Sequence, residues 1–465
     1  MSTKYLLVRL VILFLFVFFI KYGIIQIKTY DRKISTCVLR IVYNCGLRYK
    51  KANNLSDMVF MAKIFKVAIV GGGFSGMVAA CRLAEAYGDN VALIEKNERI
   101  GKKILSTGNG RGNVTNTDMN ARHYHSVCGA KVSPSIEVYD AVDSEKWFGS
   151  IGVPFSYEGK RAYPSSKQAS SLSDAMRAKL IYDEAVIVTA FKVVKISQNS
   201  QGVFSVMSAD GREIRAEIVI LACGGKAGKQ YGTDGDGYNL ARGLGHTVTE
   251  IYPSLVQVKT EREKIRTLKG IKAEADVSAI VDGKETAFSN GDVLFTEYGL
   301  SGNAIFFISA YITGRKNSEI KLSFLPEYSE EKLVEIIKNK ILRLPYLTVD
   351  ELLSGIINKQ LGKAILKNLG ISSINVRDAK RIAEAIKDMR LKVEGTLGFD
   401  YAQVTRGGVK FNEIDEKTFE SKITKGLYFT GEILDVDGDC GGYNLQFAYS
   451  SATAAATNIL EHEDR

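Results

Sequence analysis

A chain of 465 residues, 45% hydrophobic and 25% charged, has room for two or three domains and the composition of an ordinary globular protein. The net charge of +10 is concentrated in residues 1–63, which hold eleven Lys/Arg against two Asp/Glu; the other 402 residues hold 51 against 50, so no basic face calls for a nucleic-acid partner. Cys37, Cys45, Cys81, Cys128, Cys223 and Cys440 follow no CxxC or metal-ligand spacing, so the sequence fits a reducing compartment, with no disulfide framework and no metal site. The pair His123-x-His125 reads as a surface strand rather than a ligand pair.

The first segment is apolar. Leu10 to Ile20 is uninterrupted, and with Arg9 and Lys21 tolerated the run covers residues 6–27. It falls short of the ~18 charge-free residues of a confident membrane span, although flanking bases can snorkel. No small-residue cleavage site follows, which disfavours a signal peptide. Bases after the run outnumber those before it, so insertion would leave the body cytoplasmic. Residues 6–27 are therefore a candidate membrane contact and residues 1–60 a leader that is either an anchor or an addition to the working protein. Met58 and Met61 are candidate starts, since Met61 leads straight into the first strand pattern.

That strand, Val67-Ala68-Ile69-Val70, turns into Gly71-Gly72-Gly73-Phe74-Ser75-Gly76 and a helix with Met77, Ala80, Leu83 and Ala84 on one face, ended by Gly88-Asp89-Asn90. A second strand, Val91 to Ile94, delivers Glu95 nineteen positions after Gly76. Strand, GxGxxG, helix, strand and acid form a dinucleotide-binding unit. Gly71 permits the turn, Gly73 admits a pyrophosphate to the backbone, Gly76 lets the helix approach the strand, and Glu95 receives ribose hydroxyls. The helix N-terminus favours the anion, and Phe74, Ser75 and Lys96 are expected at the cofactor with these residues.

Residues 101–116, GKKILSTGNGRGNVTN, make a polar glycine-rich loop suited to wrapping a phosphate or ring edge. Lys103, Asn109, Gly110, Arg111 and Asn113 are expected to touch the cofactor there. Residues 134–149 read as a helix carrying Trp147, and Val186 to Val206 as a hairpin or meander. Ala216 to Ala222 repeats the buried-strand pattern and ends in Cys223-Gly224-Gly225, the C-terminal strand end where doubly wound sheets bind ligands, which adds Gly224 to the site. From 248 to 325 the runs VSAIV, DVLFT, AIFFISAYI and KLSFL suggest strands. EEKLVEIIKNKIL, ELLSGIINKQLGKAIL and RDAKRIAEAIKDM then suggest helices. The expected fold is α/β: a Rossmann-like dinucleotide-binding domain at 64–250 and 400–465, interrupted by an inserted β-barrel-like domain at 251–328 and an inserted helical domain at 329–399.

The chain returns to glycines at Val404-Thr405-Arg406-Gly407-Gly408-Val409 and at GLYFTGEILDVDGDCGGYNLQ, residues 426–446. Gly431-Glu432 sits at a strand end, where an acid suits ribityl hydroxyls. Gly441-Gly442 opens a final helix whose N-terminus, with Tyr443 and Asn444, suits the flavin edge that becomes negative on reduction. Contacts at both ends of an extended molecule predict FAD rather than NAD. No second GxGxxG unit is present, so NAD(P)H would bind only transiently. Tyr443, Arg111 and Arg406 are the candidate proton donors; contacts to FAD phosphates would explain either arginine as well.

The motifs GGGFSG, GKKILSTGNGRGNVTN, GKRAYPSSKQAS at 159–170, LFTEYGLSG at 294–302, VTRGGV and GLYFTGEILDVDGDCGGYNLQFAYSS resemble a bacterial flavoprotein family that includes aminoacetone oxidases and 3-dehydro-bile-acid reductases. The resemblance covers residues 64–460. It implies non-covalent FAD, a split flavin domain of the two-dinucleotide-binding class, and inserted β-barrel and helical domains. Two departures stand out: Gly112 occupies the place of a family cysteine after the loop arginine, and the leader is foreign to the pattern. The expected function is FAD-dependent hydride transfer through flavin N5 to or from a small organic substrate, as an NAD(P)H-linked reductase of a conjugated C=C bond. The alternatives are an amino-ketone oxidase using O2, an FAD-binding redox sensor or scaffold, and an FAD enzyme modifying tRNA, which the near-neutral body disfavours.

Overall fold

Strands buried on both faces need unbroken apolar runs, and β1 (Ile64–Val70) and β2 (Val91–Ile94) have them, with Val67–Val70 and all of Val91–Ile94 buried. In the computed structural model, which describes residues 63–129 and 132–462, they pair in parallel in register Val67↔Val91. Between them runs α1 (Phe74–Tyr87). Helix α2 (Ser170–Tyr182) leads to β3 (Val186–Val188), which adds in parallel to β2. The hairpin β4 (Val193–Gln198) and β5 (Phe204–Ser208) then feeds β6 (Glu213–Leu221), which lies parallel to β1. The sheet order is β3-β2-β1-β6-β5-β4.

The insert begins after residue 250. Strands β7 (Val258–Thr260), β8 (Lys272–Val281), β9 (Lys284–Phe295) and β10 (Gly299–Ser301) are followed by helix α3 (Asn303–Ile312) and strand β11 (Ser318–Phe324). Helices α4 (Glu330–Arg343), α5 (Lys359–Asn368) and α6 (Ala379–Lys387) precede the last strand, β12 (Met389–Thr396). The strands form a closed barrel, β7-β10-β9-β8-β11-β12, sealed by β12 on β7. The chain then re-enters the first sheet, where β13 (Leu427–Phe429) pairs in parallel with β6, and ends in α7 (Tyr443–Glu461), which packs on α1.

Several expectations change. The separate helical domain expected at 329–399 does not exist as such: Leu333, Ile337, Leu361, Ile365, Ile382 and Ile386 share one core with the barrel residues Val277, Val293, Phe295, Ile320 and Leu322, and residues 389–396 supply the closing strand. AIFFISAYI is α3, not a strand. An apolar run does not itself distinguish the two, and burial of Ala304, Ile305, Ile308, Ser309 and Ile312 follows a helical stripe. ELLSGIINKQLGKAIL is α-helical only from Lys359, because the Asn358 side chain accepts from the Gln360 and Leu361 N–H groups and caps the helix there. Residues 134–149 form two helices, Ser133–Val138 and Ala141–Ser150, the second capped by Asp140. Among the described residues no helix is long and apolar enough to cross a membrane. The apolar run at 6–27 and the candidate starts Met58 and Met61 lie outside the described residues.

Candidate functional site

The C-terminal ends of β1, β2 and β6 open on a groove between the first sheet and the returning C-terminal segment. At the end of β1 the turn is sterically dictated: a Cβ at Gly71 would lie 2.3 Å from the Ala222 carbonyl oxygen, and one at Gly76 would lie 1.9 Å from that of Gly71. Gly73 differs, since a Cβ there would meet no atom within 4 Å, so its backbone faces open space. Gly73 also caps α1 without any side-chain hydrogen bond, leaving first-turn N–H groups for an anion. The buried Glu95 carboxylate accepts from the N–H groups of Gly72 (2.8 Å) and Asn97 (2.8 Å) and from the Asn97 amide (2.7 Å). Lys96 pairs with Asp234 and reaches Asp236 at 3.4 Å, and Lys192 joins Asp236 at 3.1 Å. These groups line the same part of the groove.

The other part is assembled from distant segments. Lys103 Nζ meets Glu432 Oε2 at 2.7 Å, while Glu432 Oε1 accepts from the Thr405 N–H at 3.0 Å. Asn113 is buried and donates to the Ala162 carbonyl at 2.9 Å. Gly442 precedes α7 with no side-chain cap, and a Cβ there would lie 2.4 Å from the Thr115 carbonyl oxygen. Asn444 exchanges hydrogen bonds with the Gly438 backbone at 2.8 and 2.7 Å, holding the Asp437–Gly442 loop against the helix start. Phe74, Ser75, Gly224, Glu432, Gly442 and Asn444 all line the groove. Gly431 does not. Its N–H donates to Ser451 Oγ at 3.0 Å and its Cα faces Ser75, so it packs the C-terminal segment on α1.

Other predicted site residues stand elsewhere. Left-handed backbone at Gly108 and Asn109 (φ 56° and 57°) turns the loop tip outward, so that Gly108 and Asn113 line the groove while Asn109, Gly110 and Arg111 do not. Arg111 is ion-paired with Glu158 near the surface and lies 4.5 Å over the Tyr163 ring. Gly112 has φ +73°, and a Cβ there would come within 2.9 Å of Ala169 Cα, so the family's thiol would be strained at this position. Tyr443 is buried and stacks on His123 at 4.3 Å, away from the groove lining. Burial first, then Asp118 and Asp439, pushes its phenol up to about 12. Arg406 binds the buried Asp437 carboxylate at 3.0 and 3.2 Å and donates to the Ala310 carbonyl of the insert.

Sequence reasoning missed the partners of His123 and His125. Tyr124–His125 forms a short strand pair with Asp437–Gly438, and both imidazoles close on Asp439: His123 Nδ1 at 2.9 Å and His125 Nε2 at 2.7 Å from its carboxylate. Each side chain is only 18% exposed, so HxH is no plain surface strand. Alternation along the strand was a usable signal; an acid more than 300 residues later was not. Among the described residues no group of three or more His, Cys, Asp or Glu side chains could hold a metal ion.

An open glycine backbone, two uncapped helix N-termini and a buried acid after β2 fit an extended dinucleotide in this groove. The chain matches the HI0933-like protein Rossmann domain family over residues 65–458. It is 37% identical over 407 residues to 3-dehydro-bile acid delta(4,6)-reductase of Clostridium scindens, covering 85% of this chain and 99% of that one. It is 30% identical over 405 residues to ribosomal RNA dihydrouridine synthase of Haemophilus influenzae (86% and 99% covered). To the enzyme of the same name from Escherichia coli it is 27% identical over 406 residues (85% and 98%). The chain therefore belongs to the HI0933-like Rossmann family and is an FAD-dependent oxidoreductase.

Proposed function

We propose that the chain reduces C=C bonds conjugated to a carbonyl in small molecules, with FAD along the groove and NAD(P)H as the electron source. The observation that carries this reading is the 37% identity to the bile acid reductase over 99% of that enzyme's length. The relatives named as dihydrouridine synthases point to the same bond type, since the uracil double bond is also conjugated to a carbonyl. A small enone is favoured over a uridine in RNA because residues 64–465 carry 51 basic against 50 acidic side chains. Unpaired thiols at Cys81, Cys128, Cys223 and Cys440 accord with a cytoplasmic reaction.

In this reading the first-turn N–H groups of α1, opened by Gly73, receive the pyrophosphate, and Glu95 turns toward the adenosine ribose. Glu432, held by Lys103 and the Thr405 N–H, serves the ribityl hydroxyls. The α7 N-terminus at Gly442 to Asn444 places positive potential beside the ring edge that gains charge on reduction. When bound, the flavin supplies the two-electron hydride donor, and the protein orients it and excludes water.

Steady-state assays with a panel of cyclic enones, in air and under argon, test the proposal. The expected result is enone-dependent oxidation of NADH or NADPH that survives removal of oxygen. Oxygen uptake with an amino-ketone and no enone turnover would instead establish the oxidase. Dihydrouridine formation in a ribosomal RNA fragment without enone turnover would establish the RNA enzyme, and no turnover with any of these would point to a sensor.

A further inference from the structure

The insert and the FAD-binding domain meet at His125, Tyr311 and Arg406, side by side at the edge of the groove next to Asp439. His125, on the strand pair with Asp437–Gly438, gives its Nε2 to Asp439, and Asp439 itself lines the groove beside Gly441 and Gly442. Among the described residues its Nδ1 makes no hydrogen bond, although the ring is only 18% exposed. Tyr311, from α3 of the insert, stands edge-on to His125 at 5.5 Å, and Arg406 lies 5.8 Å over the Tyr311 ring. Arg406 spends Nε on Asp437 and Nη1 on the Ala310 carbonyl, while Nη2 is buried without a partner. One imidazole nitrogen fixed by a carboxylate and the other free is the arrangement of an acid–base histidine, because the carboxylate selects the tautomer and stabilises the imidazolium.

We infer that His125 is the acid–base residue for an α,β-unsaturated ketone bound between α3 and the Asp437–Gly442 loop, with Asp439 and His123 as positioning residues. The inference rests on the proposed reductase reading. Hydride delivered to the β-carbon moves the C=C pair toward the α-carbon and carbonyl oxygen, giving an enolate. His125 Nδ1–H then protonates the α-carbon and keeps the N–H electron pair, and solvent returns a proton to Nδ1. The two electrons come from the reduced nicotinamide.

The test uses holoenzyme and the H125Q variant, with H125N as the second variant should H125Q fail to retain flavin. In rapid mixing, reduction by NAD(P)H should keep its wild-type rate, whereas reoxidation by enone should slow about 100-fold, the scale of one general acid. Titration with 4-nitrophenol, an enolate mimic followed by its phenolate absorbance, gives a readout independent of turnover: the wild type should bind the phenolate at least about tenfold more tightly than H125Q, as a charge-assisted contact requires. D439N should slow reoxidation too, and the H125Q/D439N double variant should be no slower than H125Q alone, which a merely structural role for Asp439 would not produce. Reoxidation of H125Q within about threefold of wild type, or equal binding of 4-nitrophenol, would overturn the assignment. If no enone reoxidises the wild type, the reductase reading fails, and the phenol titration still decides whether His125 receives an enolate-like anion.

Discussion

The two halves of the groove are built by opposite strategies. Around Gly71, Gly73, Gly76 and Glu95 the lining comes from one unbroken β1-α1-β2 unit, and its shape follows from backbone contacts as close as 1.9 Å from a would-be Cβ. Around Lys103, Thr405, Glu432, Asp439 and Asn444 it comes from segments up to 329 residues apart, joined by side-chain hydrogen bonds and ion pairs. A half made by backbone sterics fails all at once. A half made by pairs of side chains fails by degrees.

Substitutions should expose that difference, the largest first. Gly76→Val drives a side chain into the Gly71 carbonyl and should abolish flavin retention while lowering stability by roughly 3 kcal/mol or more, read by flavin content and thermal melting. Arg406→Ala strands the buried Asp437 carboxylate and should cost about 3–5 kcal/mol in urea unfolding; adding Asp437→Asn should recover most of it. Gly73→Asp has room for its side chain, so the melting point should hold while FAD affinity falls at least ~100-fold, about 2.7 kcal/mol, from charge placed at the phosphate position. Lys103→Ala should weaken FAD only about tenfold, ~1.4 kcal/mol, because its pair with Glu432 is a partly exposed one. If Lys103→Ala proves as severe as Gly76→Val, the contrast between the halves is wrong.

The smallest effect lies outside the groove. Burial holds the His246 imidazole below its usual range, against the opposing pull of Glu413, whose carboxylate stands 3.2 Å from Nδ1 without hydrogen-bond alignment. The folded state then binds that proton less tightly than the unfolded chain, so the contribution is complete above the ordinary value of ~6.5 and is lost as pH falls through the depressed one. A melting series across that window should show the fall in the wild type and a flatter profile in H246Q.

The first half was legible in the sequence because its chemistry is local: the glycine spacing, the helix stripe of Met77, Ala80, Leu83 and Ala84, and Glu95 all lie in one continuous stretch. Glu432 and Gly442 were legible as strand-end and helix-start signals, although nothing in the sequence placed Lys103 on Glu432. Arg111 misled because a loop's composition does not say which way its tip turns; Gly108 and Asn109 decided that. The helical insert misled for a related reason, since β12 arrives only after three helices and closes a barrel opened some 130 residues earlier. The His123–Asp439–His125 cluster depended on a two-residue strand pair between segments more than 300 residues apart, for which no local pattern exists.

Separating the two half-reactions tests most directly whether one groove carries electrons from a nicotinamide to an enone, as proposed. Under argon, NADH or NADPH should bleach the ~450 nm band expected of oxidised flavin. One equivalent of a conjugated enone should then restore it faster than air does. Bleaching by an amine but by neither nicotinamide, or recovery that only oxygen can drive, would contradict the account.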